Sequence, residues 1–387
     1  MNKHAISLLS LLIIVLICYS QHSLRVVISS FPARNLADSN LYMAGSFNGW
    51  NPKDENYRFQ KNENARLNDS VGQGKYFIET KLRDGIYEYK ITRGGWDKVE
   101  CKKGGTDIQN RSLKLSSDTM VDLMVEEWAD NIARKPRVSS AGKNVHLVDT
   151  AFFIPQLNRS RKVWIYLPPG YATSGKRYPV LYMHDGQNVF DDLTSFAGEW
   201  GVDETLDSLG NHSGEMIVVA VDHGGTQRIN EYCPYDMEKY GKGEGDKYVD
   251  FLAKTLKPFI DKSYRTEKTK KNTFIAGSSM GGLISMYALL KYPRVFGGAG
   301  IFSPAFWVGP KIFDDIKARG AKVNSRIYFY CGSQEGETMV PDTEKAFSEM
   351  RKISNSRMVC VVRADGKHSE WVWKEEFPLF YLWLMEK

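Results

Sequence analysis

Residues 273–283 read TFIAGSSMGGL, an apolar run that leads through the pattern Gly-x-Ser-x-Gly into a helical pattern. In the order strand, tight turn and helix, this pattern places its serine in strained backbone at the tip of the turn. Gly277 and Gly281 lack Cβ atoms, so the strand and the helix can approach closely. Free N–H groups at the start of the helix favour developing negative charge. We therefore predict that Ser279 is a nucleophile. Ser278 falls at the wrong position between the glycines, and the alternative is a purely structural turn.

Strand-like and helical patterns alternate around this turn, from His146 to the end of the chain. Alternation of this kind predicts a mostly parallel sheet covered by helices on both faces. The predicted strands are residues 163–167, 180–183, 217–221, 273–276, 326–330 and 358–362. The predicted helices are residues 202–209, 248–259, 283–290, 343–352 and 371–385.

One histidine, His368, follows Ser279 in the sequence. Hydrolases of the α/β fold present their nucleophile, acid and base in that order along the chain. His368 lies between the last predicted strand and the last helix, at the edge of the sheet where a catalytic base belongs. We predict that it takes the proton of Ser279 and later returns it to the leaving alcohol. The alternative is a surface histidine in a polar loop.

The acid should follow the predicted strand 326–330, which ends in the loop CGSQEGE. A carboxylate in this loop would orient the imidazole and stabilise its cation. Glu335 is the preferred candidate, and Glu337 and Asp342 remain alternatives.

An oxyanion hole needs N–H donors directed at the developing negative charge. The N–H of Met280, directly after the nucleophile, is the first predicted donor. The second is the N–H of Gly186 or Gln187, in the loop that follows strand 180–183. His184 begins this loop and precedes the serine in the sequence, so we interpret it as structural.

The first third of the chain has a different pattern, with short alternating runs separated by Gly, Asn and Asp from residue 23 to 125. Such runs are typical of an antiparallel, immunoglobulin-like β-sandwich. A polar segment that contains Pro136 follows and predicts a linker. The predicted organisation is an export signal over 1–20, a sandwich over 21–127, a linker over 128–143 and an α/β-hydrolase domain over 144–387.

Lys3 and His4 precede an apolar run over residues 5–17, which is too short for a typical membrane span and fits a signal peptide. We expect a secreted or periplasmic protein without a transmembrane span after cleavage; a lipoprotein anchored at Cys18 is the competing interpretation. The remaining cysteines are scattered, so we expect no metal site. The net charge of +6 comes without a concentrated basic face, which argues against nucleic-acid binding.

Three motifs of the second half occur in the order of a known family: YMHDGQN at 182–188, GSSMGG at 277–282 and DGKHSEW at 365–371. Over residues 145–387 the chain resembles the esterase D and enterochelin-esterase-like superfamily, which includes feruloyl, carbohydrate acetyl and siderophore esterases. The resemblance implies an α/β-hydrolase fold and substrate contacts from Asp185, Arg228, Glu231 and Tyr232. A purely structural role is the alternative for the loop that carries Arg228, Glu231 and Tyr232. The predicted serine-hydrolase chemistry requires no cofactor. Many members have Asp where this chain offers Glu335.

The first part of the chain carries GSFNGWNP at 45–52 and GIYEYKITRGGW at 85–96. Over residues 23–125 these strings resemble starch- and glycogen-binding carbohydrate modules. The resemblance implies that Trp50 and Trp96 stack on sugar rings and that Lys90 donates a hydrogen bond, so that an α-glucan or another glycan binds here. The alternative is that both tryptophans belong to the sandwich core.

Together these features predict a secreted serine carboxylic ester hydrolase that removes feruloyl or acetyl groups from a polysaccharide or oligosaccharide. A hydrolase for a siderophore or another small ester is the alternative. A carbohydrate-binding protein with an inactive hydrolase domain is a second alternative.

Overall fold

A computed structural model describes residues 21–32, 40–61, 76–132, 138–195 and 198–386. The chain divides into two compact units, Met1–Arg137 and Val138–Lys387. The predicted export signal and Cys18 lie outside the described residues, as does part of the predicted linker.

The first unit is all-β. A four-stranded sheet has the order β3-β4-β1-β8, a three-stranded sheet has the order β2-β5-β7, and β6 pairs with β9. Apolar side chains such as Val26, Ile91 and Leu115 form its core. The strands are β1 Gln21–Ser30, β2 Tyr42–Gly45, β3 Gln60–Lys61, β4 Tyr76–Arg83, β5 Gly85–Thr92, β6 Glu100–Cys101, β7 Arg111–Leu115, β8 Thr119–Met124 and β9 Glu127–Trp128.

Two features of this unit differ from the prediction. Strand β1 pairs in parallel with β8, so the sandwich is not purely antiparallel. Trp128, at the start of the predicted linker, is fully buried in the core because β9 extends the folded unit.

The second unit is built on an eight-stranded sheet with the order β10-β11-β13-β12-β14-β15-β16-β17. Strands β10 and β11 are antiparallel to their neighbours, and the other pairs are parallel. This confirms the predicted α/β-hydrolase fold. The strands are β10 Val145–Ile154, β11 Arg159–Tyr166, β12 Val180–His184, β13 Ile217–Val221, β14 Thr273–Ser278, β15 Gly298–Phe302, β16 Arg326–Gly332 and β17 Arg357–Arg363.

Successive residues of the inner strands pack into two separate cores, one on each face of the sheet. On β12, Val180 and Tyr182 belong to one core, whereas Leu181 and Met183 belong to the other. Burial on both faces explains why these strands read as continuous apolar runs. Each methylene that is removed from water contributes about 0.8 kcal/mol.

Helices cover both faces. The segments from α3 to α7 pack on one core, and α1 and α8 pack on the other. The turn Leu252–Leu256 is a π-helix that continues α3 into α4. No helix in the described part of the chain is long and apolar enough to cross a membrane. The helices are α1 Val202–Ser213, α2 Arg228–Glu231, α3 Gly245–Phe251, α4 Lys257–Ser263, α5 Met280–Lys291, α6 Ile312–Arg319, α7 Met339–Ile353 and α8 Glu370–Met385.

Candidate active site

Ser279 lies in the tight turn between β14 and α5, with φ 59° and ψ −119°. A non-glycine residue in such backbone costs about 1–3 kcal/mol, which the surrounding contacts must offset. The Ser279 N–H donates to the carbonyl of Phe302 at 2.9 Å, and the Ala305 N–H donates to the Ser279 carbonyl at 3.0 Å. A Cβ at Gly277 would lie 2.8 Å from the His184 ring, so the turn requires glycine there. The strained turn is therefore clamped against the end of the neighbouring strand β15.

His368 lies in the loop after β17 and is bonded to Glu335, in the loop after β16. The Nδ1 atom of His368 is 2.7 Å from Oε2 of Glu335. The Glu335 side chain has no solvent exposure, and its Oε1 accepts the Gly332 N–H at 2.6 Å. Glu337 is exposed, and Asp342 lies in the first turn of α7. Of the three candidate acids, Glu335 is the one with this contact.

The imidazole of His368 is 39% exposed, and its ring meets the Trp373 ring edge to face, with centroids 4.9 Å apart. No hydrogen bond joins the Ser279 hydroxyl to His368 in the described part of the chain. Catalytic hydrogen bonds are often long in unliganded enzymes and tighten when substrate binds. The sheet nevertheless brings both residues to one edge, because β14, β15, β16 and β17 are consecutive parallel strands.

The predicted oxyanion donors lie at the ends of two neighbouring strands. The Met280 N–H opens α5 after β14, and Gly186 and Gln187 follow β12, which pairs with β14. A Cβ at Gly186 would lie 2.8 Å from the backbone of Val221, so this turn admits no side chain. The Gln187 side chain is also held, because its Oε1 accepts the His223 N–H at 3.3 Å.

His184 is buried beneath the nucleophile turn. Its two ring nitrogens lie 3.0 Å from the Tyr248 hydroxyl and 3.1 Å from the Ser285 hydroxyl. Burial lowers the pKa of His184 to about 4, against a smaller opposing effect of Asp185. A neutral imidazole with both nitrogens engaged packs the turn and is not available as a base.

Asp185 and Arg228, two of the predicted substrate contacts, form a bidentate ion pair. Arg228 Nε donates to Oδ1 at 2.6 Å, and an Nη atom donates to Oδ2 at 2.8 Å. Burial alone would raise the pKa of Asp185, but the Arg228 charge lowers it below its usual value. The Tyr232 hydroxyl accepts the Asp185 N–H at 3.2 Å, and the Tyr232 ring is fully buried. Tyr232 therefore supports Asp185 from beneath, which corrects its predicted role as a substrate contact.

The predicted substrate contact of Glu231 is corrected in the same way. Glu231 is fully buried and pairs with Arg159, with Nη1 and Oε1 2.8 Å apart, and with Arg161. An isolated buried carboxylate is costly, so these cations fix it as an internal ion cluster. Glu231 therefore stabilises the loop that carries Arg228 from within the fold.

Three residues near His368 have no role in the sequence prediction. The hydroxyl of Ser303 donates to Glu335, and the indole N–H of Trp373 donates to Ser303. Burial raises the pKa of Glu370 to about 7, and the Asn188 amide donates to its carboxylate at 3.2 Å. Ser303 directly follows β15, a position that gives a weak sequence signal, whereas Trp373 lies within α8 and gives none.

In the first unit, Trp50 and Trp96 are both half-buried, with ring centroids 6.2 Å apart and a tilt of 43°. Trp50 has φ 62°, in the turn after β2. Lys90 lies on β5 opposite Ala44. The two tryptophans therefore form one aromatic surface, and neither belongs to the fully buried core.

Several proteins share part of this sequence, and these include two relatives whose names describe carbohydrate-active enzymes. The endo-1,4-beta-xylanase/feruloyl esterase of Xylanibacter ruminicola is 27% identical over 195 residues, which are 49% of this chain and 25% of that protein. The alpha-amylase of Niallia circulans is 35% identical over 103 residues, which are 26% of this chain and 7% of that protein. The chain thus corresponds to a minor part of each relative.

Among solved structures, the enterobactin esterase FES of Shigella flexneri, in the presence of enterobactin, superimposes with a TM-score of 0.51. The alignment covers 89% of this chain and 87% of that chain at 17% identity. At this identity the similarity shows a shared fold.

Residues 154–380, more than half of the chain, match the family described as "Putative esterase". The match spans the nucleophile turn, the loop of Glu335 and the loop of His368. The protein therefore belongs to this esterase family and is a carboxylic ester hydrolase.

Proposed function

We propose that the protein is a serine esterase in which Ser279, His368 and Glu335 form the catalytic triad. The observation that carries the proposal is the contact of 2.7 Å between His368 Nδ1 and the buried Glu335 carboxylate, two strands away from a strained serine. A carboxylate on Nδ1 fixes the proton there, which leaves Nε2 as the basic nitrogen for the serine.

The reaction proceeds in two steps. The Ser279 oxygen attacks the ester carbonyl carbon while His368 Nε2 accepts the hydroxyl proton and then delivers it to the departing alcohol. In the second step His368 takes a proton from water, whose oxygen attacks the acyl carbon, and then returns the proton to the Ser279 oxygen as the carboxylic acid departs. The N–H groups of Met280 and of Gly186 or Gln187 stabilise the negative oxygen in both steps.

The preferred substrate is a feruloyl or acetyl ester of a polysaccharide or oligosaccharide. The similarity to a xylanase/feruloyl esterase supports this class. Two exposed indoles also favour an aromatic acyl group: Trp307 is 57% exposed after β15, and Trp371 is 68% exposed beside His368. Trp307 lies in the loop after β15 and Trp371 in the first turn of α8, both beyond the carboxyl ends of the parallel strands, where an aromatic ring can pack on them. The predicted export signal is consistent with a polysaccharide substrate outside the cell.

The paired surface of Trp50 and Trp96 supports glycan binding by the first unit. Indole rings pack well against the C–H faces of sugars. Binding would keep the esterase on its polymer.

Hydrolysis of a siderophore is the second candidate, because the fold of an enterobactin esterase matches most of the chain. Purified protein should be assayed on feruloylated and acetylated oligosaccharides and on a trilactone siderophore. We expect hydrolysis of the oligosaccharides, abolished in Ser279→Ala and retained in Ser278→Ala. Activity confined to the trilactone would contradict the polysaccharide assignment, and no esterase activity at all would leave a carbohydrate-binding protein.

Glycan binding has a separate test. We expect retention of the protein on insoluble starch, lost in the double variant Trp50→Ala/Trp96→Ala. Met120→Ala, which changes a half-exposed residue of the same unit, is the matched control. Equal retention of all three proteins would contradict the proposal.

A further inference from the structure

Ser303 directly follows β15 and has no solvent exposure. Its φ of 41° lies in the left-handed region, which a residue with a Cβ enters at an energetic cost. The Ser303 N–H donates to the Tyr330 carbonyl at 2.7 Å, which ties this strained residue to β16. Strained, buried polar residues that persist cluster at functional sites, so this serine invites a functional explanation.

The hydroxyl of Ser303 stands between two groups that fix its direction. The Trp373 N–H donates to the Ser303 oxygen at 2.9 Å, and the Ser303 hydroxyl donates to Glu335 Oε1 at 2.8 Å. An indole N–H can only donate, so it occupies an acceptor position of the serine. The serine hydrogen is thereby directed to the carboxylate.

Trp373 closes this chain of contacts into a ring. Its indole, 3% exposed, holds Ser303 through the N–H and meets the imidazole of His368 edge to face. Glu335, between the two, binds His368 through Oε2 and Ser303 through Oε1. Movement of any one member disturbs the other three.

We propose that Ser303 and Trp373 are positioning residues of the esterase: the relay from Trp373 through Ser303 to Glu335 holds the carboxylate in place and directs Oε2 to His368. This inference rests on the triad proposed above. A buried carboxylate needs hydrogen-bond donors, and Ser303 supplies one of the donors to Oε1, with the Gly332 N–H. The two residues act through Glu335 and touch no substrate.

Loss of the Ser303 hydroxyl should shift the pH dependence of kcat/KM in one direction. With one donor fewer on Oε1, the negative charge of the carboxylate is concentrated towards His368 and interacts more strongly with the cation that His368 forms during catalysis. This moves the acid limb of the kcat/KM profile to higher pH. For Ser303→Ala we expect a shift of about 0.5–1 pH unit. We also expect a fall in kcat of about 10- to 100-fold at unchanged KM, because a hydrogen bond to a charged group is lost.

The test compares Ser303→Ala, Ser303→Gly, Trp373→Phe and the double variant Ser303→Ala/Trp373→Phe. Glycine suits a φ of 41°, so Ser303→Gly removes the hydroxyl without backbone strain and serves if Ser303→Ala does not fold. Trp373→Phe keeps an aromatic ring against His368 and removes the N–H. The control is Ser325→Ala, since Ser325 is a buried serine directly before β16 whose hydroxyl donates to the Phe296 carbonyl at 2.9 Å.

We expect the variants that lack the Ser303 hydroxyl or the Trp373 N–H to have an acid limb at higher pH. The double variant should match Ser303→Ala, and Ser325→Ala should keep the wild-type pH profile. Wild-type kcat and acid limb in folded Ser303→Gly and Trp373→Phe would overturn the relay. Full activity of Ser279→Ala would instead overturn the triad itself, so the two failures are distinguishable.

Discussion

Two histidines stand at the carboxyl edge of the same parallel sheet, and their surroundings differ in every respect that matters for catalysis. His184 ends β12, is buried, and has a neutral hydroxyl at each ring nitrogen. His368 follows β17, is partly exposed, and has a buried carboxylate at Nδ1. From this comparison we infer that two features decide whether a histidine acts as a base. One is the hydrogen-bond partner of Nδ1, and the other is whether substrate can reach Nε2.

The largest loss of activity should follow replacement of His368, and replacement of His184 should cost much less. We expect His368→Ala to lower kcat/KM about 10⁴-fold, because the general base is removed. His184→Ala should change kcat per folded molecule by less than about tenfold and instead reduce stability by about 1–3 kcal/mol, since two buried hydroxyls lose their partner. Steady-state kinetics and urea unfolding of both variants measure this. Equal kinetic losses would contradict the distinction.

The carboxylate partner can be tested alone. Glu335→Gln keeps the shape of the side chain but removes the charge that stabilises the His368 cation, and we expect kcat to fall about 10³-fold. Glu337→Gln, an exposed position in the same loop, is the control and should keep wild-type kinetics. If Glu337→Gln lost activity and Glu335→Gln did not, Glu337 would be the acid and the assignment of Glu335 would be wrong.

A smaller effect is expected from the loop of His184. In Gly186→Ala the added Cβ would lie 2.8 Å from the Val221 backbone, so the turn must shift. We expect kcat to fall about 10²-fold, the usual effect of losing one oxyanion donor, with little change in KM. In Gly281→Ala the new Cβ would lie 3.4 Å from the His184 side chain, so activity should be retained more fully. If Gly281→Ala lost more activity than Gly186→Ala, the second oxyanion donor would lie outside the loop of Gly186.

The last expected effect is on stability as a function of pH and not on activity. His184 has a pKa of 6.5 when unfolded and about 4 when folded. The unfolded state therefore binds the proton first, so this contribution to stability is complete above pH 6.5 and is lost as pH falls to 4, by roughly 3 kcal/mol. Unfolding of wild type and His184→Gln at pH 7 and pH 4.5 isolates it. A difference between the two proteins that is independent of pH would contradict the low pKa.

The sequence predicted the strands and helices that carry a continuous or periodic apolar pattern within their own residues. Six strands and five helices of the second unit were located, with β13 at its observed bounds. The sequence did not predict β15, because Gly298 and Gly300 weaken its pattern. These glycines are required by packing: a Cβ at Gly300 would lie 2.9 Å from the Phe380 ring on α8. Such a constraint comes from a helix 80 residues away in the chain and leaves no local signal.

The candidate site divides in the same way. Ser279 and His368 follow from motif and chain order, whereas Glu335 was preferred over two alternatives that only the spatial arrangement separates. Glu231 was misassigned because its cation partners, Arg159 and Arg161, lie 72 and 70 residues away. Residues that act through another side chain carry no motif of their own.

The proposed esterase mechanism depends on activation of the Ser279 hydroxyl by His368. Incubation with an alkyl fluorophosphonate, followed by peptide mass spectrometry, tests it directly. We expect a single phosphonyl adduct on Ser279, formed much more slowly in His368→Ala and at a near wild-type rate in His184→Ala. Labelling of another residue, or an unchanged labelling rate in His368→Ala, would contradict activation of Ser279 by His368.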